Sequence, residues 1–343
     1  MRGSIATIAG KTPRVESKLN FRDRLGAYKV RWGIGRMRYR VDPGLYALGA
    51  PDEDSPVLIS ANFKMSFDRL REALPGRNAW ILVLDTDGIN VWCAAGKGTF
   101  GTRELAGRIE SSLLARVVRH RRIIVPQLGA SGICAHEVEK LSGFKVLYGP
   151  VRAEDLPEFM DSGMKAAPGT RMKTFTTGER LSLVPVEIVH AFKTFLITMP
   201  LVFTLCLFSS HLGVLSDALR FGALSALGIL MAIAAGCLLT PLLLPWLPGR
   251  AFSLKGAWPG IACAALFLML RRSVGALPAP GALEATAWML LIPAISTYLA
   301  MNFTGCSTFT SLSGVKREMK WAVPAQIAAV VLGAIFWITA LFV

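Results

Sequence analysis

The sequence predicts an α/β domain with a Rossmann-like parallel sheet, followed by an all-α transmembrane domain. Short apolar runs alternate with helical segments between residues 45 and 165, and long runs without Asp, Glu, Lys or Arg follow residue 190. The 343 residues are 52% hydrophobic with a mean hydropathy of +0.46, too apolar for one ordinary soluble domain. We therefore expect a basic N-terminal arm (1–44), the α/β domain (45–165), a linker (166–190) and a transmembrane domain of about five helices (191–343).

Four apolar runs predict the strands of the sheet: Val57–Ile59, Trp80–Leu84, Ile123–Val125 and Lys145–Tyr148. Uninterrupted apolar runs of this length are typical of parallel strands that are buried on both faces. Ligands of parallel α/β sheets bind beyond the carboxyl ends of the strands. The segments that follow these strands are therefore the predicted location of a site.

Apolar residues at helical spacing predict the helices between the strands. Thr102 is the expected N-cap of one of them, and an acidic stretch at 154–157 begins the last. The apolar positions are Met65, Leu70 and Leu74 in the first helix, and Leu105, Ile109 and Leu113 in the helix that Thr102 begins. Strands and helices thus alternate through the α/β domain.

Four uncharged runs exceed the roughly 20 residues needed to cross hydrocarbon: Thr194–Ser216, Phe221–Gly249, Ala285–Val315 and Trp321–Val343. A fifth, Gly256–Leu270, has only 15 residues, and Arg271 and Arg272 at its end would have to snorkel to let it span. With five spans, positive loop charges favour the inside: Arg250, Lys255, Lys316, Arg317 and Lys320 against Arg220, Arg271 and Arg272 outside. We expect a multi-pass inner-membrane protein whose α/β domain is cytoplasmic.

The first forty residues hold 11 Lys and Arg against 2 Asp and Glu. Such an arm fits anionic membrane lipid or an acidic partner, and equally a solvated, flexible terminus. No aromatic stacking module accompanies the charges, so we expect no nucleic-acid partner. Ser4–Gly10 barely reaches the length of a signal-peptide apolar segment, so we expect no cleaved signal.

Six cysteines are present, and none forms a CxxC pair: Cys93, Cys134, Cys206, Cys237, Cys263 and Cys306. This spacing encodes neither a zinc knuckle nor an iron–sulfur cluster. It also shows no disulfide framework, which favours a reducing compartment.

The peptide Asn90–Lys97, NVWCAAGK, begins just beyond the second predicted strand. Asn90 is a good N-cap, and its side chain can accept the backbone N–H of Cys93 three positions on. The positive end of the helix dipole and Lys97 both favour the Cys93 thiolate, the form that binds metals. Ala94, Ala95 and Gly96 leave room for a large flat group, while Trp92 can cover a ligand or pack on the sheet.

Other interpretations of this peptide differ in strength. A buried helix whose small residues pack on a neighbour is the plainest alternative. A phosphate-binding loop would need Gly at Val91 and Ser or Thr at Gly98, and no dinucleotide fingerprint follows a strand. Cysteine-based catalysis would need a nearby histidine; only His120 and His136 lie in these units, and His136 fits an ordinary surface residue.

At these residues the sequence resembles the family of mercury-methylating corrinoid proteins, HgcA, whose hallmark peptide is N-[VI]-W-C-A-[AG]-G-K. The segments Ser60–Lys64, Asp85–Gly88 and Gly149–Ala153 also resemble the corrinoid domain of the corrinoid iron–sulfur protein of the acetyl-CoA pathway. The resemblance covers about residues 45 to 165. The membrane spans that follow fit the mercury-methylating family better than its soluble relative.

The resemblance implies a corrinoid cofactor, a cobalamin bound base-off, with Cys93 as the lower axial ligand of cobalt and a methyl group above it. Many methyl-transfer corrinoid domains use a histidine in D-x-H-x-x-G, and none of the four histidines here has Asp two residues before it. The implied reaction transfers the methyl group to Hg(II) and yields methylmercury. Both a carbanion-like and a one-electron transfer are compatible with the sequence.

The resemblance also implies partners. A ferredoxin-like iron–sulfur protein would reduce the cobalt and deliver Hg(II), and a folate-linked methyl donor protein would reload it. Two further functions stay open: a corrinoid methyl carrier for another thiol, metal or metalloid, and a transporter with a soluble regulatory domain. The span interiors carry no Asp, Glu, Lys or Arg, which disfavours transport.

Cys93 is the predicted catalytic residue and cobalt ligand. The predicted corrinoid-binding residues are Ser60, Asn62, Asn90, Val91, Trp92, Cys93, Ala94, Ala95, Gly96, Lys97, Gln127, Leu128, Gly129, Gly149, Pro150, Val151 and Arg152. Those outside the peptide share their position at the carboxyl ends of strands, where ordinary turn chemistry is the competing explanation.

Overall fold

The computed structural model describes residues 3–209, 215–273, 278–307 and 312–343. The chain divides into two compact units. The first contains the chain up to Val30 and then Ile34–Lys173, and it is built on a sheet. The second contains Arg31–Gly33 and the chain from Thr174 onward, and its described elements are helical.

One seven-stranded sheet forms the centre of the first unit, in the order β1-β2-β3-β5-β4-β6-β7. The strands are β1 (Ser4–Thr7), β2 (Gly10–Val15), β3 (Gly44–Leu48), β4 (Val57–Ala61), β5 (Ala79–Leu84), β6 (Arg122–Val125) and β7 (Lys145–Tyr148). The four strands expected from apolar runs are β4 to β7, and they are mutually parallel. Every residue of β4 and β5 is buried, as the uninterrupted apolar runs predict.

The prediction of a parallel sheet is confirmed for β4 to β7, but three further strands make the whole sheet mixed. β3 runs antiparallel to β5, β2 runs parallel to β3, and β1 and β2 pair as an antiparallel hairpin. The sheet is therefore mixed. Residues 4–15, assigned from sequence to a basic arm, extend this sheet.

Helices cover the sheet and connect its strands. They are α1 (Phe21–Arg31), α2 (Lys64–Glu72), α3 (Val91–Lys97), α4 (Thr102–Ser111), α5 (Leu114–Val117), α6 (Ala135–Ser142) and α7 (Leu156–Asp161), with 3₁₀ turns at Arg36–Arg38, Gln127–Gly129 and Ala153–Asp155. The expectation that Thr102 caps α4 is wrong, because Gly101 holds that position and the Thr102 hydroxyl accepts the Cys134 N–H at 2.9 Å. Leu113 lies beyond the end of α4 in a left-handed conformation.

A network of charged side chains ties α1 to α2. Asp23 accepts hydrogen bonds from Lys64 at 2.6 Å and from Arg71 at 2.7 Å, and Asp68 accepts from the same two residues. Burial on its own raises the pKa of Asp23, but the hydrogen bonds from Lys64 and Arg71 outweigh it and lower the pKa to about 2. The beginning of the chain is thus fixed to the α/β unit by paired charges.

Among its described residues, the second unit has five helices that are long and apolar enough to cross a membrane: Thr177–Leu207, Leu215–Leu243, Phe252–Ser273, Ala282–Gly305 and Ser313–Phe342. Their regular segments are α8 (Thr177–Leu181), α9 (Val184–Leu207), α10 (Leu215–Ala234), a π-helical turn (Ala235–Leu239), α11 (Thr240–Leu243), α12 (Phe252–Ser273), α13 (Ala282–Met301), a 3₁₀ turn (Asn302–Cys306) and α14 (Leu312–Phe342). The short fifth run of the sequence is thus part of a 22-residue helix.

The snorkelling of Arg271 and Arg272 stays a prediction, and Arg271 is paired with an acid. Its side chain is 4% exposed, and its Nε donates to Glu284 Oε1 at 3.1 Å. The pair joins the end of α12 to the start of α13, and the same helices approach closely where Gly256 and Gly260 face Ser296. Small residues at such contacts are typical of helix packing in membranes.

Candidate functional site

Helix α3 begins beyond the carboxyl end of β5, near the middle of the sheet. The Asn90 side chain accepts the backbone N–H of Cys93 at 2.9 Å, which confirms the predicted N-cap. Gly98, with φ of 86°, ends the helix in the left-handed conformation that favours glycine. The peptide Asn90–Lys97 is therefore an N-cap followed by a helix of about two turns with defined ends.

The helix α3 has two faces with different surroundings. The inner face, Val91, Ala94 and Ala95, is buried in the core beneath the sheet's carboxyl edge. The outer face consists of Trp92 and Cys93, which are half-buried, and Gly96 and Lys97, which are exposed. The expectation that Ala94 and Ala95 leave room for a flat ligand is therefore corrected, because their side chains face the core. Of the three small residues, only Gly96 lies on the accessible side.

The loop after β6 explains why the side chains on the inner face of α3 are small. A methyl group on Gly132 would collide with the Phe100 carbonyl oxygen and lie 3.1 Å from Ala95 Cα, while one on Gly129 would collide with the Phe100 ring. Ala95 is thus small because another part of the protein packs on it. A methyl group on Gly96 would meet nothing within 4 Å among the described residues.

Asn62 holds the loop that leads into α3. Its buried Oδ1 accepts from the Thr86 N–H, the Thr86 hydroxyl and the Gly88 N–H at 2.8 to 3.1 Å. Its Nδ2 donates to Asp85 Oδ1 at 2.9 Å. With its amide occupied in this way, Asn62 serves as a positioning residue for α3. Asn62 was expected from sequence to bind the ligand, and its positioning of this loop was not expected.

The other predicted residues lie in three different environments. Ser60 is inside β4 and 2% exposed, so it belongs to the sheet interior. The loops after β6 and β7 meet where the Gln127 N–H donates to the Pro150 carbonyl at 3.3 Å. The remaining members of those loops are Leu128 and Val151, half-buried, Gly129, Gly149 and Pro150, buried, and Arg152, exposed.

Gln127 carries a polar atom with no partner. Its side-chain oxygen is buried, and no hydrogen-bond donor among the residues the structure describes reaches it. A buried amide oxygen without a donor costs about 1 to 3 kcal/mol. At the carboxyl end of β6, this atom is free to accept a hydrogen bond from a ligand.

A cluster that sequence analysis did not recognise follows the same loop. Cys134 Sγ lies 3.2 Å from His136 Nδ1, and ligand atoms of Cys134, His136 and Glu137 all lie within 4.8 Å of one another. Burial and then the negative charge of Cys134 raise the pKa of Tyr148 beside it. His136 is exposed, as expected of a surface residue, and the Cys-x-His-Glu spacing was the available sequence signal for the cluster.

A cavity of about 300 Å³ is lined by Asp23, Lys64 and Arg71 among others, and by none of the predicted corrinoid-binding residues. Asp23, Lys64 and Arg71 pair their charges with one another, as described above. We therefore assign it no ligand.

Comparison with known proteins supports a relationship for part of the chain. Residues 35–160 match the family described as CO dehydrogenase/acetyl-CoA synthase delta subunit. The chain is 33% identical over 123 residues to the acetyl-CoA decarbonylase/synthase complex subunit gamma of Methanopyrus kandleri, covering 35% of this chain and 26% of that protein. It is 30% identical over 122 residues to the corrinoid/iron-sulfur protein large subunit of Moorella thermoacetica, covering 35% and 27%.

The chain therefore spans about a quarter of the length of the curated relatives it matches. The matched residues include all of α3, whereas the five long apolar helices lie outside them. The matched part of the α/β unit is thus a domain similar to one in the large subunit of corrinoid/iron-sulfur proteins.

Proposed function

We propose that this protein is a membrane-anchored corrinoid methyltransferase that transfers a methyl group to Hg(II) and releases methylmercury. The observation that carries the proposal is the complete NVWCAAGK peptide, with Cys93 on the accessible face of α3, in a domain like that of a corrinoid/iron-sulfur protein. Hg(II) is a soft cation and therefore a suitable acceptor of a methyl group that leaves with its electron pair.

The residues of the site fit a corrinoid. A corrin is broad and flat and carries amide side chains at its rim. Gly96 leaves open space over the outer face of α3, and the unpartnered oxygen of Gln127 can accept from a rim amide. Cys93 would hold the cobalt, with Trp92, Gly96 and Lys97 beside it, and Gln127, Leu128, Val151 and Arg152 at the neighbouring loops.

The protein's own groups prepare Cys93 for this role. The Asn90 side chain fixes the backbone at Cys93 by accepting its N–H at 2.9 Å. Asn62 fixes the loop before the helix, so the sulfur is held by groups that do not themselves need to contact the ligand. A bound corrinoid supplies a cobalt that carries the methyl group, and a thiolate is a strong donor to that metal.

The proposal includes location and partners. In this proposal the α/β unit binds the corrinoid on the cytoplasmic side, and the five apolar helices, the first of which begins at Thr177 rather than after a linker to residue 190, anchor the protein in the inner membrane. An iron–sulfur protein of ferredoxin type reduces the cofactor and delivers Hg(II), and a folate-linked protein supplies methyl groups. The similar protein of Methanopyrus kandleri is named as a subunit of a complex, which supports the proposal that this protein also has protein partners.

A second class of methyl acceptor is the alternative to Hg(II). The two similar proteins are named as a subunit of an acetyl-CoA decarbonylase/synthase complex and as a corrinoid/iron-sulfur protein subunit, and neither name mentions mercury. A corrinoid methyl carrier that serves another thiol, metal or metalloid would use the same α3 and the same Cys93.

The test uses the full-length protein in detergent, loaded with methylcobalamin and supplied with HgCl₂. We expect methylmercury from the wild type and loss of it in Cys93→Ala. Cys263→Ala, a buried cysteine of α12, is the matched control and should retain activity. Wild-type protein that binds the corrinoid but passes its methyl group to a thiol and never to Hg(II) would favour the second acceptor class.

A further inference from the structure

The start of α6 carries a second group of metal-ligand atoms, separate in sequence from Cys93. We propose that Cys134, His136 and Glu137 bind a thiophilic divalent cation such as Zn²⁺. The sulfur, imidazole nitrogen and carboxylate oxygen lie within 4.8 Å of one another. These are the three atom types that bind zinc in proteins.

The distances suit a shared cation. In a tetrahedral site with bonds of about 2.3 Å to sulfur and about 2.0 Å to nitrogen, the two ligand atoms are roughly 3.5 Å apart. Cys134 Sγ lies 3.2 Å from Nδ1 and 3.5 Å from Nε2 of His136. Because the sulfur is nearly equidistant from the two ring nitrogens, the exposed His136 ring must also turn about its side-chain bonds to point one nitrogen at a cation held by Cys134.

The backbone around Cys134 is held on both sides. The Tyr148 hydroxyl donates to the Ile133 carbonyl at 2.7 Å, and the Cys134 N–H donates to the Thr102 hydroxyl at 2.9 Å. Cys134 occupies the N-cap position of α6, yet its side chain makes no capping hydrogen bond. The thiol is thus positioned without serving the helix.

The cluster is accessible to a cation from solvent. His136 and Glu137 are exposed, and Cys134 is half-buried. Three protein ligands leave a fourth position for water or for a ligand that arrives with the cation. A further role, in which the cation held here is the methyl acceptor, rests on the proposed function; the binding itself does not.

The test measures Zn²⁺ binding to the full-length Cys93→Ala protein in detergent, so that Cys93 contributes nothing. Equilibrium dialysis should give one Zn²⁺ per chain, and Zn²⁺ should slow iodoacetamide alkylation of Cys134, read by mass spectrometry. Adding Cys134→Ser or His136→Ala should weaken binding by roughly tenfold or more. Adding Glu139→Gln, an exposed acid of the same helix outside the cluster, should leave it unchanged.

Zn²⁺ that binds equally well without Cys134, or that leaves its alkylation rate unchanged, would overturn the inference. His136 is exposed, so His136→Ala keeps the test valid should Cys134→Ser unfold. Neither result depends on corrinoid or on methylmercury. Failure here therefore leaves the proposed function untouched, and loss of methyl transfer leaves this site untouched.

Discussion

The two faces of α3 contain similarly small residues for opposite reasons. On the inner face, Ala95 is small because Gly132 and the chain at Phe100 pack against it. On the outer face, Gly96 has no described neighbour that would meet a methyl group. Packing within the fold thus explains why the inner-face residue is small. The absence of a side chain at Gly96 on the outer face needs another explanation. A ligand that requires clearance over Cys93 supplies one.

Neighbouring small residues in a helix can be small for different reasons, because they lie on different faces of the helix. From sequence, Ala94, Ala95 and Gly96 form one feature, because their side chains are alike. Helical geometry divides them, since positions 91, 94 and 95 share one face and positions 92, 93, 96 and 97 share the other. Substitutions that act on one face and spare the other will test the division.

The largest expected effect is on the inner side. Gly132→Ala should lower the free energy of unfolding of the α/β unit by about 3 kcal/mol, because backbone of Phe100 and Ala95 must move. Chemical denaturation followed by tryptophan fluorescence measures it. Gly107→Ala is the control, since Gly107 lies in α4 with open space around it. Equal stability in the two variants would mean that the inner face is not tightly packed.

Asn62→Ala should lower the free energy of unfolding by about 2 to 3 kcal/mol, because it leaves the Thr86 and Gly88 amides without their buried acceptor. The effect should be local to the loop before α3. Hydrogen exchange should accelerate at Thr86 and Gly88 while Val146 in β7 keeps its protection. Uniform acceleration across the sheet would contradict a positioning role confined to this loop.

The ion network at α1 should change stability without changing either face of α3. The pKa of Asp23 lies below its ordinary value, so its stabilisation is present above about pH 4 and is lost as pH falls towards 2. A shift of this size corresponds to about 2 kcal/mol. Asp23→Asn should remove that part of the acid dependence in a pH series of denaturation curves. An unchanged acid limb would show that Asp23 is not the group responsible.

Gly96→Ala should have the smallest effect on stability, and it tests the difference between the two faces of α3 most directly. Alanine in place of an exposed helical glycine should stabilise the protein by about 0.5 to 1 kcal/mol. Its methyl group should nevertheless weaken corrinoid binding about tenfold, equivalent to about 1.4 kcal/mol. Thermal unfolding and cobalamin titration measure the two quantities. A variant that is more stable and binds corrinoid as well as the wild type would remove Gly96 from the site.

The four parallel strands were predictable because apolar runs between turn residues are local signals. β1 and β2 were not, since Gly10–Val15 is largely polar and joins the sheet only through pairing with β3. The antiparallel β3 depends on which strand it meets, which no local pattern states. Strands marked by a local apolar pattern could thus be predicted from sequence, whereas strands that depend on pairing with distant residues could not.

The same division holds for the site. The Asn90 cap was predictable because donor and acceptor are three residues apart. The role of Asn62 was not, since its partners are 23 to 26 residues away. The cluster at Cys134 was visible as a spacing, but one thiol and one imidazole two residues apart become a candidate site only when their side chains are seen to meet.

The most direct test of the central claim is the visible spectrum of cobalamin bound to the full-length protein, compared between wild type and Cys93→Ala. If the outer face of α3 ligates cobalt through Cys93, the wild type should show a base-off corrinoid with a thiolate-dependent band, and Cys93→Ala should lose that band while remaining folded. An identical spectrum in both proteins would contradict the assignment of Cys93 as the cobalt ligand.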